Sequence, residues 1–92
     1  MDTNSMLTAL KVDLGISTDA YDERLKPYLI MAGKSIKKEG ITLDLQDYYD
    51  QNLQVMYAAW LWRKRDSQEG MPRMLRYQLN NRLFSEKVKS DV

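Results

Sequence analysis

Residues 45–66, LQDYYDQNLQVMYAAWLWRKRD, decide the fold. The run holds neither Gly nor Pro, and Leu45, Tyr48, Tyr49, Val55, Met56, Ala59, Trp60 and Trp62 recur along it with helical spacing. Ala58 and Ala59 leave room for a neighbouring helix to approach. A helix over 45–66 is therefore expected at the centre of the molecule, with Asp44 capping its start and Leu43 stapling it. Trp60 and Trp62 are two positions apart, which sets them on different helix faces. One small core needs one apolar stripe, and Trp60 is assigned to it. Trp62, with Tyr48 or Tyr49, is left for a contact with another subunit, because Tyr, Trp and Arg dominate protein–protein hot spots.

Helical patterns continue on both sides. Upstream, Met6, Leu7, Leu10 and Leu14 predict a helix over about 5–14, capped by Asn4 or Ser5 and ended by Gly15. Ser17 or Thr18 can cap a helical turn over 19–25, whose acids Asp19, Asp22 and Glu23 suit the positive end of a helix dipole. Pro27 is incompatible with a helix interior, so the next helix is expected over 26–39 with Pro27 in its first turn, Gly33 allowing close approach and Gly40 ending it. Downstream, SQEGMP closes the central helix, and Leu75, Leu79 and Leu83 carry a fourth helix from Pro72 to about residue 84. No stretch alternates at period two. The expectation is an all-α single domain of about four helices over residues 1–84, with a polar, flexible tail over 85–92. Its core comprises Leu7, Leu10, Leu29, Ala32, Ile36, Val55, Met56, Ala59, Trp60, Leu75 and Leu79.

Composition narrows the chemistry. With 43% apolar and 29% charged residues the 92-residue chain matches a globular domain rather than a disordered one. There is no Cys, hence no disulfide framework and no thiolate metal site, as suits an intracellular protein, and no His, the commonest general base and metal ligand. The N-terminus lacks the basic start and apolar run of a signal peptide, and no segment reaches membrane-spanning length. Asp19, Asp22 and Glu23, or Asp44, Asp47 and Asp50, could face a hard cation, but helix capping accounts for them without one. Ser and Thr residues have no activating base and no nucleophile elbow around them. No catalytic residue, cofactor or metal is expected, and the chain is not expected to be an enzyme.

The net charge of +1 conceals a split: residues 1–62 sum to −3 and residues 63–92 to +4. Opposite patches on neighbouring copies are then complementary. The basic segment also admits a second reading, a small DNA-binding or DNA-packaging-associated protein using Arg63, Arg65, Arg73 and Arg76.

Taken in order, LTALKVDLGI (7–16), YDERLKPYLIMAGKSIKKEGITL (21–43), YAAWLWRKRD (57–66) and MPRMLRYQLNNRLF (71–84) resemble the small head–tail connector (adaptor) proteins of tailed bacteriophages. Leu7, Leu10, Leu14, Leu25, Leu29, Ala32, Ile36, Gly40, Tyr57, Arg63, Pro72, Gln78 and Leu79 carry the likeness. The resemblance implies a structural subunit of the virion, made in the bacterial host cytoplasm, that forms a homo-oligomeric ring on the portal protein. Such a ring extends the channel through which genomic DNA passes without sequence-specific binding, and offers a platform to a downstream stopper or tail-completion protein. It involves no membrane. The residues expected at subunit or portal interfaces are Asp44, Asp47, Tyr48, Asp50, Trp62, Arg63, Arg65, Arg73, Arg76, Lys87 and Lys89. Arg63–Arg65 are expected to meet Asp44, Asp47 and Asp50 only across subunits, and Lys87 and Lys89 to meet acidic portal residues as the tail orders.

Overall fold

The computed structural model describes the backbone of residues 3–90 and the side chains of residues 4–88. Four helices follow one another: α1 (Thr3–Leu14), α2 (Asp22–Lys38), α3 (Tyr48–Lys64) and α4 (Arg73–Ser90). The described residues form no strand, and the protein is a single all-α domain. α3 packs against each of the other three helices. Ala58 and Ala59 are fully buried at that centre, where their small side chains let the flanking helices approach.

Local chemistry sets the element ends. Gly15 (φ +73°) and Gly40 (φ +99°) hold the left-handed conformation past the ends of α1 and α2. At each, paired bonds close the helix: Ile16 N to Lys11 O with Gly15 N to Val12 O, and Ile41 N to Ile36 O with Gly40 N to Lys37 O. The loop into α3 is capped at Asp47, three residues later than the expected Asp44, and Asp47 Oδ1 accepts the Tyr49 amide at 2.8 Å. Asp44 Oδ1 instead accepts the Gln46 amide, so Leu45–Asp47 form a turn rather than helix.

Two boundaries depart further from expectation. α2 runs unbroken from Asp22, with Pro27 inside it rather than near its start. Pro27 and Glu23 both lie on the exposed side of the helix, where water can satisfy the carbonyl that the missing N–H leaves open. α4 continues through Ser90, so residues 85–90 extend the helix instead of forming a separate tail. Glu86 helps to hold this last stretch by accepting Arg82 Nη1 at 2.8 Å. Residues 91–92 of the expected tail lie outside the described residues.

The core gathers Leu7 and Leu10 of α1, Leu25, Leu29, Ala32 and Ile36 of α2, Leu53, Val55 and Tyr57 of α3, and Leu75 and Leu79 of α4. Gly33 plays the expected part: Gln54 of α3 crosses it to donate to Leu29 O at 2.9 Å, and a Cβ there would stand 3.0 Å from Gln54 Nε2. The two tryptophans exchange the roles expected of them. Trp62 is buried (8% exposed), whereas Trp60 and Met56 are only partly buried. A helix enclosed by three others buries more than one stripe, so Trp62 turns toward α2 while Trp60 lies toward the α3–α4 loop.

Candidate functional site

The expected interface residues fall into three groups, set by where α3 and α4 begin and end. At the N-terminal end of α3, Leu45, Tyr48 and Tyr49 are exposed beside Asp44 and Asp47. The capping turn that fixes Asp47 leaves both tyrosines outside the helix bundle, because the inward positions are taken by Asp50, Gln51 and Leu53. The result is an aromatic patch with two carboxylates, formed by residues that the sequence singles out and by Leu45.

Asp50 does not belong to that surface. It is 3% exposed and faces α4, where Arg82 Nε reaches Asp50 Oδ1 at 2.8 Å and Arg82 Nη2 reaches Oδ2 at 3.1 Å. Asp50 Oδ2 also accepts the Asp44 amide at 2.7 Å, and Arg82 Nη2 donates to Thr42 O at 2.8 Å. This planar, two-pronged contact locks the 41–47 loop, α3 and α4 together. The Asp50 carboxylate, then the Glu86 carboxylate, hold the Arg82 guanidinium pKa well above its ordinary value, while Arg82 holds Glu86 below the usual carboxylate range. Arg82 was absent from the candidate residues: one Arg in a polar helix carries no sign that its partner lies 32 positions earlier.

The second group sits at the C-terminal end of α3. Trp62 packs edge-on against Tyr28 (5.3 Å between centroids) and Tyr21 (6.1 Å), and the Arg65 guanidinium lies 3.6 Å above its ring. Arg65 also donates to Trp62 O and lies 3.4 Å from Asp66 Oδ2. Trp62 is thus enclosed by its own domain, which overturns its expected place at a subunit contact. Arg63 donates to Asp13 O at 3.0 Å and approaches its carboxylate at 3.4 Å, and Lys64 Nζ lies 4.4 Å above the Trp60 ring. Arg63, Lys64 and Arg65 nevertheless remain exposed. The 17-residue α3 spans roughly 25 Å at 1.5 Å per residue, so the acidic aromatic patch and this basic cluster occupy opposite ends of one rod. They do not meet within the chain.

The third group lies on α4. Arg76 pairs with Glu39 at 2.8 Å, which raises the Arg76 pKa and clamps α4 to the end of α2. Arg73 and Lys87 are exposed with no ion-pair partner among the described residues, and the Lys89 side chain lies outside them. The outer face of α4 also exposes Met74, Tyr77, Phe84 and Val88, which the sequence reading did not single out.

The other acids serve structure. Lys11 of α1 reaches Asp19 Oδ1 at 2.7 Å and Asp22 Oδ1 at 2.9 Å, raising the lysine pKa and lowering that of Asp19. Among the described residues no group of three or more acids is placed to hold a metal ion, and no helix is long and apolar enough to cross a membrane. Comparison with family models, with curated proteins and with solved structures finds no match to this chain.

Proposed function

We propose that the chain is a non-enzymatic structural subunit of a tailed-phage head–tail connector. It assembles with copies of itself into a ring on the portal vertex of the virion, extends the DNA channel, and presents a platform to a downstream stopper or tail-completion protein. The order of motifs across residues 7–84 suggests the class. The observation that carries the reading is the placement of an exposed aromatic, acidic patch (Asp44, Leu45, Asp47, Tyr48, Tyr49) and an exposed basic cluster (Arg63–Arg65) at opposite ends of α3. A closed ring repeats one heterologous contact, in which one face of a subunit meets a different face of its neighbour. Opposite charge at the two ends, with large apolar side chains uncovered at one, suits such a contact.

DNA binding ranks second. A duplex-binding face relies on several cations free to neutralise phosphates. Of the four arginines assigned to that role, Arg76 is clamped to Glu39 at 2.8 Å, and the whole chain carries a net charge of only +1. The test is sedimentation with rising protein concentration, with and without portal rings of the phage that carries the gene. Tyr48→Ser with Tyr49→Ser is expected to leave helix content intact and to weaken assembly at least tenfold. Wild-type assembly by this variant would remove the patch from the interface.

A further inference from the structure

The outward face of α4 carries a second pattern, independent of the buried one. Leu75 and Leu79 turn into the core, while Met74, Tyr77, Asn81, Phe84 and Val88 point away from it. These five are spaced three, four, three and four residues apart, which is the a/d repeat of a coiled-coil seam with Asn81 at its central a position. Met74, Tyr77, Phe84 and Val88 are 60, 63, 70 and 47% exposed. The stripe runs straight for about 21 Å along the helix. Recesses of about 430 and 450 Å³ flank it, one toward α3 beside Asn52 and Gln78, the other between Arg73, Arg76 and Asn80.

The flanking positions identify the occupant. In this register the g positions are Arg73, Asn80 and Lys87 and the e positions are Gln78 and Ser85, so two cations and no acid border the seam. We infer that this face is a docking site for an amphipathic α-helix of a partner protein, one that carries an apolar a/d stripe edged by Asp or Glu. A second copy of this chain does not supply it. Two α4 seams would bring only cations to their shared border. α3 exposes large apolar side chains only in its first turn (Tyr48 and Tyr49), too short a segment to fill the α4 stripe, and α2 shows Ile30 and Met31 outward among Lys34, Lys37 and Lys38. An anionic membrane surface also attracts basic amphipathic helices, but this stripe is narrow and interrupted by Asn81. A central polar residue is a cost at a bilayer, whereas in a two-helix seam it fixes register. The docking site goes beyond the ring reading and does not depend on it, since its apolar anchors all lie on α4; only the wall of the recess toward α3, which includes Tyr49, is shared with the ring patch.

The experiment uses the full chain and two labelled 21-residue synthetic helices, both with Leu at a and d and Asn at the central a. One carries Glu at every e and g position and the other Lys, so neither pairs readily with itself. Fluorescence anisotropy should show saturable binding of the Glu helix, at least tenfold tighter than the Lys helix and weakening as salt rises from 50 to 500 mM. Phe84→Ser, an exposed change that should leave circular dichroism unaltered, should weaken binding at least tenfold. Equal binding of both helices, no binding of either, or indifference to Phe84→Ser overturns the inference. So does a Phe84-dependent dimer in sedimentation, or Phe84-dependent binding to phosphatidylglycerol vesicles tighter than to the Glu helix. Portal-ring assembly by the same Phe84→Ser protein is scored separately, so failure here leaves the connector reading standing.

Discussion

Replacing Arg82 by Met tests what holds α4 and the 41–47 loop to the bundle. Met fills similar apolar volume, but Asp50, 3% exposed, would keep the Asp44 amide and lose the guanidinium that offsets its burial. Thr42 O would lose its donor from the same group. Breaking a buried pair by removing one partner costs roughly 3–5 kcal/mol, and because 16% of the Arg82 side chain reaches solvent, the low end of about 3 kcal/mol applies. A domain of this size has about 5–14 kcal/mol of total stability, so the loss is large. At about 4–8 °C per kcal/mol, the midpoint of thermal unfolding should fall by roughly 12–24 °C. Urea unfolding followed by circular dichroism at 222 nm gives the free energy directly. Asp50→Leu combined with Arg82→Met should recover most of the loss, because the buried charge goes with its partner. A loss below about 1 kcal/mol in Arg82→Met, or a double variant no better than the single, would refute the reasoning.

Other outcomes follow from the same contacts. Trp62→Ala should cost about 3–5 kcal/mol, since the ring is enclosed by Tyr21, Tyr28 and Arg65, and Trp60→Ala should cost less; paired urea titrations decide this. Gly40→Ala should destabilise by roughly 1–3 kcal/mol, because φ is +99° and the new Cβ would lie 3.3 Å from Leu83 Cδ1. Glu86 and Asp19 have depressed folded pKa values, so their stabilisation is present above the ordinary carboxylate pKa and is lost as pH falls through the folded values. The urea midpoint should therefore drop below about pH 4, with a shallower acid slope in Glu86→Gln.

What the sequence reveals here depends on whether a residue's partners are local. Gly15 and Gly40 were legible as helix ends because a left-handed stop needs only the helix it closes. The central position of 45–66 was legible from an apolar run without Gly or Pro, and nine of the eleven expected core residues are buried. The exceptions, Met56 and Trp60, share one cause with the misplaced Trp62. A single-stripe rule describes a helix packed on one side, and α3 is packed on several. One exposed tyrosine, Tyr48 or Tyr49, is expected at the acidic patch and both are exposed, whereas Asp50 is not a surface acid because its partner lies 32 residues away. Pro27 was read by its general cost, and only the exposure of its turn shows why α2 continues past it. The spacing at 74, 77, 81, 84 and 88 is not singled out in the sequence, because the leucine stripe at 75, 79 and 83 describes the same helix equally well until burial separates them.

The connector reading is tested most directly by electron microscopy of the purified chain mixed with tailed-phage portal rings. Class averages are expected to show an added annular layer at one end of the portal, built from repeated copies of the chain and lost when Tyr48 and Tyr49 are both changed to Ser. Bare portals beside a chain that stays monomeric, and that retards a labelled DNA duplex at low salt, would contradict it.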